Sequence, residues 1–164
     1  MVINFHDLYQ KYAQDIYRFA YWLCGDAQEA EDITSETFVR ALTSLNMIRT
    51  ETVKGYLLTI ARNLAFKRTK RASRLADLPP GLPALGNGPE QTAETKLSLQ
   101  GVMQFMQTLP EVDRAAFLLH IQDDLSYEEI SKVLEISLAA AKVKVHRTRL
   151  KLNVYRMKEE ESRS

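Results

Sequence analysis

With 164 residues, 45% of them hydrophobic and 26% charged, the chain is long enough for two small packed domains and too apolar for disorder to be its default state. A single cysteine, Cys24, excludes an intramolecular disulfide; Met1 leads straight into an amphipathic pattern without a signal sequence or a long apolar run, so a cytoplasmic location is expected. The formal net charge of +1 conceals segregation: five acids (Asp26, Glu29, Glu31, Asp32, Glu36) and no base lie between Asp26 and Glu36, seven bases and no acid between Lys54 and Arg74, and seven more bases without an acid between Lys142 and Lys158.

Taken in chain order, Phe5, Leu8, Tyr12, Ile16, Phe19 and Leu23 mark a first amphipathic helix that Gly25 ends. Asp26 is placed to cap a second helix running to about Leu45, with Ile33, Thr37 and Ala41 inward. Glu29, Asp32 and Glu36 form an acidic stripe on it, and Glu36 with Arg40 has the spacing of an i, i+4 ion pair. An acidic stripe without an intervening cation favours a docking surface for a basic partner.

A third helix is expected from Tyr56 to about Arg74, with Leu57, Ile60, Ala61 and Leu64 inward and Thr59, Arg62, Asn63, Phe66 and Lys70 on the opposite side. A phenylalanine exposed among cations and an asparagine suits phosphates and stacking on an unpaired base. Residues 77–88, DLPPGLPALGNG, hold three of the five prolines and three of the six glycines and read as a linker. A fourth helix follows from about Gln91 to Thr108, and Pro110 starts a fifth.

The segment from Leu109 to Leu152 reads as a helix-turn-helix. Ser126 caps a short helix with Glu129 three residues on, and Tyr127, Ile130 and Leu134 line its buried face. Glu135-Ile136-Ser137 makes the turn, and Ser137 caps a basic helix with Leu138, Ala141, Val145, Thr148 and Leu152 on its core side. Ala139, Ala140, Val143, His146 and Arg147 point away from that side, flanked by Lys142 and Lys151. Small residues near a helix N-terminus with cations further along suit a major groove bordered by phosphates. The expected architecture is all-α: a domain over residues 1–75, a flexible linker over 76–92 and a helix-turn-helix domain over 93–164.

Catalysis has little support. His6, His120 and His146 are far apart, and the chain has no HExxH, no paired CxxC and no Gly-rich phosphate loop before a helix. Neither a metal nor a cofactor is expected, and Cys24, at the end of an apolar face, reads as a buried structural thiol.

Together the segments resemble the extracytoplasmic-function (group four) sigma factors of the sigma-70 family. EAEDITSETFVRAL (29–42) resembles the helix by which they dock on the RNA polymerase clamp, GYLLTIARNLAFKRTKR (55–71) the helix that melts and reads the promoter −10 element, and LPEVDRAAFLLHIQDDLSYEEISKVLEIS with AKVKVHRTRLKL their −35-reading domain. The resemblance covers nearly the whole chain with its motifs in the family's order. It implies sigma region 2 in the first domain, sigma region 4 in the second, and an alternative sigma factor rather than an enzyme. The implied partners are core RNA polymerase, through its β′ clamp and β flap, promoter DNA, and an anti-sigma factor; no membrane insertion is implied.

Carried over by position, the clamp contacts fall on Asp32, Glu36, Phe38 and Arg40. The −10 reading falls on Asn63, Phe66 and Lys70, with Arg62 and Lys67 adding charge, and on the loop from Asn46 to Lys54, which in the family holds a flipped-out base. The −35 reading falls on Ala139, Ala140, Lys142, Val143, Lys144 and Arg147. Several positions depart from the family pattern. Tyr56 stands where tryptophan is frequent, Lys67 where an acid is frequent, and Glu135 where glycine is common in the turn. Ala139-Ala140-Ala141-Lys142-Val143 replaces the usual Gly-Thr-Val-Lys-Ser, so hydroxyl hydrogen bonds are lost and methyl contacts with thymine remain. Two non-sigma readings stand beside this one: a sigma mimic that titrates an anti-sigma factor, supported by the altered recognition helix, and a stand-alone helix-turn-helix regulator, which leaves the acidic stripe and the first basic helix without a role.

Overall fold

A computed structural model describes residues 4–44, 52–76 and 99–163, and every regular element among them is a helix. Three helices form the first half: α1 (Phe5–Cys24), α2 (Ala27–Thr43) and α3 (Val53–Ala76). Four form the second: α4 (Leu99–Gln107), α5 (Glu111–Ile121), α6 (Tyr127–Leu134) and α7 (Leu138–Arg163). The expected linker, the loop residues Asn46 to Glu51, the end of the second helix at Leu45, and the first turns of the expected fourth helix lie outside the described residues.

Local sequence sets the helix boundaries. Asn4 caps α1, its side-chain oxygen accepting from the His6 amide at 3.0 Å. Gly25 closes the same helix in the left-handed region at φ 75°, its amide donating to the Tyr21 carbonyl at 2.7 Å. A side chain there would be strained by that backbone conformation, and its Cβ would have to displace the Gln107 side chain of α4, whose Cδ would lie at 2.9 Å. Asp26 accepts from the Glu29 amide at 2.9 Å and starts α2 one residue after the glycine. Ser126 and Ser137 do the same for α6 and α7, accepting from Glu129 and Ala140 amides at 3.2 and 3.0 Å.

The core of the first half is built from Ile16, Phe19, Leu23, Ile33, Phe38, Leu57 and Leu58, all buried. That of the second is built from Met106, Leu119, Ile130, Val133, Leu134 and Val145. The two run together as one hydrophobic cluster, because α3 packs on α6 as well as on α1 and α2, and α1 packs on α4 and α5. Leu58 and Ala65, buried alongside the expected Leu57, Ala61 and Leu64, widen the apolar face of α3. Phe5 and Leu138, read from periodicity as core positions, lie at the starts of their helices and stay 38% and 39% exposed.

Candidate nucleic-acid and polymerase interface

On α2 the acidic side chains project outward, as Ile33, Thr34, Thr37 and Ala41 take the opposite face inward. The threonines are accommodated there because each hydroxyl donates to the carbonyl one turn back, Thr34 to Ala30 at 2.7 Å and Thr37 to Ile33 at 2.6 Å. Glu36 pairs with Arg40 at 2.9 Å, the i, i+4 pair anticipated. The stripe does have an intervening cation, supplied by α3: Arg68 lies 3.8 Å from Asp32 and 4.0 Å from Glu36. All of these groups are substantially exposed, so the pairs hold little energy and leave the carboxylates open to a competing cation.

Phe38 does not belong on that surface. It is 1% exposed, with the rings of Tyr9 and Phe5 edge-on to it at 5.1 and 6.4 Å. The start of α1 crosses α2 there, a long-range packing that α2's own periodicity does not encode. The outward apolar positions beside the stripe are Val39 and Leu42, 60% and 51% exposed, which the sequence reading passed over.

Helix α3 presents Asn63, Lys67 and Lys70 to solvent. Phe66 is only half-buried rather than free: it packs on the core cluster, and the Arg62 guanidinium carbon lies 4.6 Å from its ring centroid. Arg62 in turn donates to Asn63 Oδ1 at 2.6 Å. Three expected −10 residues thus form one contiguous group. Tyr56, at the head of the same helix, donates its hydroxyl to the Ser44 carbonyl at 3.1 Å and fixes the end of α2 against α3. A cleft lined by Arg40, Thr43, Ser44, Tyr56, Ile60 and Asn63 opens between those two helices, on the side where α2 leads into the loop.

In the helix-turn-helix, α7 buries Ala141, Val145 and Thr148 and exposes Ala139, Lys142, Val143, His146 and Arg147, with Ala140 partly covered. Lys144 departs from the expected free surface: its ammonium bonds the buried Asp113 carboxylate of α5 at 3.0 Å. Arg147 Nε lies 3.8 Å from the same carboxylate, while its side chain stays 49% exposed. Asp113 therefore fixes the azimuth of α7 on α5 through two residues expected to touch DNA. In the turn, Glu135 has φ 55°, the left-handed conformation for which glycine is common in the family. The turn is held nonetheless, since Ser131 hydrogen-bonds the Ile136 carbonyl and the Glu135 amide donates to the Ser131 carbonyl.

Cys24 is inert by environment. Burial first, then the Glu29 carboxylate, push its thiol up to about 12, so almost no thiolate forms near neutrality. Arg114, also buried, spends its guanidinium on the Leu109 and Met106 carbonyls at 2.9 and 3.1 Å, satisfying the end of α4.

Residues 8–75 match the family described as Sigma-70 region 2, and residues 99–152 match Sigma-70, region 4. The chain is 32% identical over 157 residues to the ECF RNA polymerase sigma factor SigE of Mycolicibacterium smegmatis; the match takes in 93% of this chain but 61% of SigE, so the chain spans about three-fifths of that relative's length. It is 30% identical over 153 residues to the ECF RNA polymerase sigma factor SigM of Bacillus subtilis, across 89% of this chain and 91% of SigM. The fold is similar to that of the sigma factor RpoE from Bartonella quintana, solved in complex with the anti-sigma factor NepR, with a TM-score of 0.77 at 22% identity over 94% of this chain and 97% of that one.

Proposed function

Because the chain belongs to the sigma-70 family, in its extracytoplasmic-function group, we propose that it acts as an alternative sigma factor that binds core RNA polymerase and directs promoter-specific initiation of transcription. The observation that carries this reading is that both sigma regions lie in one chain, in order, and run together along 91% of SigM. In this reading residues 1–75 are the polymerase-docking and −10 domain, 76–92 the linker, and 93–164 the −35 domain.

The division of labour follows from the chemistry of each surface. The carboxylates of Asp32 and Glu36, with Arg40 beside them, engage the β′ clamp, and Val39 and Leu42 take the apolar part assigned by sequence to Phe38. On α3, Asn63 supplies an amide that both donates and accepts, Phe66 a ring on which an unpaired base stacks, and Arg62, Lys67 and Lys70 the phosphate contacts. Capture of an extruded base offsets an unstacking cost of a few kcal/mol. The exposed N-terminal half of α7 enters the major groove at the −35 element, with Ala139, Ala140 and Val143 offering methyl contacts and Lys142 and Arg147 phosphate contacts. Lys144, held by Asp113, orients that helix rather than reaching freely for DNA. The β flap and an anti-sigma factor complete the set of protein partners. No helix among the described residues is long and apolar enough to cross a membrane.

The docking assignment is tested with Asp32→Asn combined with Glu36→Gln, which removes the charge but keeps the shape. Exposed ion pairs are worth about 0–1 kcal/mol, so the fold should survive with an unchanged circular dichroism spectrum. Affinity for core polymerase in a pull-down should fall at least about tenfold, or ~1.4 kcal/mol. Unchanged affinity with an intact fold would remove α2 from the docking surface.

A further inference from the structure

Asp113, the third residue of α5, is 2% exposed, yet three side chains of α7 converge on it. Lys144 Nζ donates to its Oδ1 at 3.0 Å, Arg147 Nε lies 3.8 Å from its Oδ2, and the Thr148 hydroxyl donates to its backbone carbonyl at 3.4 Å. Positions 144, 147 and 148 are spaced i, i+3, i+4, so they stand together on one face of α7 and grip a single point on α5. That grip sets the rotation of α7 about its own axis, and with it the direction in which Ala140 and Val143 project. The buried Ala141 and Val145 hold the helix down, but their apolar packing is non-directional. The two cations are not held alike. Lys144 is bonded and 23% exposed, whereas Arg147 is 49% exposed and beyond hydrogen-bond distance, which leaves Asp113 Oδ2 buried without a hydrogen-bond partner. Freeing Lys144 would leave a buried carboxylate with one distant counter-charge, so the lysine stays while the arginine is able to turn outward.

We propose that Asp113 determines the sequence selectivity of α7 as a positioning residue, by fixing the azimuth of the helix and keeping Lys144 off the phosphate backbone. The proposal rests on the reading of α7 as the −35 helix. Phosphate contacts strengthen binding to every sequence, whereas contacts with base edges separate one sequence from another. With methyl groups at Ala139, Ala140 and Val143, the groove-facing surface makes short-range apolar contacts that a small rotation of the helix would forfeit. A freed Lys144 beside Lys142 and Arg147 would meanwhile raise the affinity for any duplex. Asp113 therefore acts on both sides of the ratio: it holds the methyl groups in register and holds down the attraction that is indifferent to sequence.

The test uses holoenzyme assembled with the full chain and titrated at several salt concentrations against two promoter duplexes. One carries the −35 sequence that wild type enriches from a randomised pool, the other a scrambled −35. Asp113→Asn keeps the shape and removes the charge. Binding to the scrambled duplex should tighten, and the salt slope should steepen by about one as Lys144 gains a phosphate. Preference for the selected duplex should fall about fivefold or more, the low end of what one base pair is worth. Adding Lys144→Gln to Asp113→Asn should return the slope to its wild-type value and leave the preference low. A merely structural Asp113 would weaken both duplexes alike at an unchanged slope. That result, a preference left intact, or a slope that stays steep in the double variant would overturn the proposal. Should Asp113→Asn lose its cooperative thermal transition, the wild-type chain carries the test through the acetylation rates of its lysines. Lys144 should react more slowly than Lys142 in the free holoenzyme, and of the two DNA should protect Lys142 alone; protection of Lys144 by DNA would overturn the proposal. A wild-type holoenzyme that enriches no −35 sequence would remove the reading of α7, and the proposal with it.

Discussion

Asp123 shows how one residue sets the balance of the interdomain contact. Burial pushes its carboxyl up to about 7, and Asp15 adds to the shift, while Lys54 and Arg18 oppose it without prevailing. Desolvation thus outweighs the attraction of the lysine, and the pair is costly when both groups are charged. The folded chain holds this proton more tightly than an unfolded one, so the stabilisation belongs to the protonated form. It is fully present below the ordinary aspartate range and is lost as pH rises through about 7. Glu111, raised by burial, acts in the same direction. Stability should therefore decline between about pH 4, the ordinary aspartate value, and about pH 7, and Asp123→Asn should flatten the decline. Parallel melting curves for wild type and variant across that range check it; identical pH slopes would mean that Asp123 is already ionised in the folded chain. No sequence pattern announced this residue, since the lysine it meets is 69 positions away in the other half of the chain.

Among the elements, the helix-turn-helix was the most legible. Ser126 and Ser137 cap where their spacing indicated, because capping is a local hydrogen bond between a side chain and an amide three residues on. Glu135 adopts the positive φ for which the family's glycine would be suited. Glu135→Gly should consequently stabilise the second half by about 1 kcal/mol, read as a higher melting temperature; a lower one would show that the glutamate side chain contributes more than its backbone strain costs. The exposed side of α7, proposed above to face DNA, carries methyl groups where the family has hydroxyls, so its cations should dominate binding. Arg147→Ala should weaken holoenzyme binding to every −35 variant alike and reduce the salt slope by about one. Ala140→Thr with Val143→Ser should tighten binding and leave that slope nearly unchanged. Loss of preference for a single base in Arg147→Ala, with the slope intact, would make Arg147 a direct reader of sequence. What the helical period could not supply was Asp113, whose buried carboxylate claims Lys144 and touches Arg147 from a different helix. Phe38 was misplaced for the same reason: its cover comes from Phe5 and Tyr9 on α1.

At the scale of the whole molecule, the all-helical architecture could be read from amphipathic period, caps and Gly25, whereas the way the two halves meet could not. Two basic helices in separate segments suggest two independent DNA-facing surfaces; in the fold, α3 is shared, with one side in its own core and part of the other against α6. Together these surfaces are proposed to make core polymerase selective for a promoter. The most direct measurement is transcription in vitro by core RNA polymerase, with and without the chain, over a library randomised at the −35 and −10 elements. The chain should enrich transcripts from a promoter class defined at both elements, and Asn63→Ala with Phe66→Ala should abolish selection at −10 while retaining polymerase binding. Transcripts indistinguishable from those of core polymerase alone, despite a stable complex between the two, would contradict it.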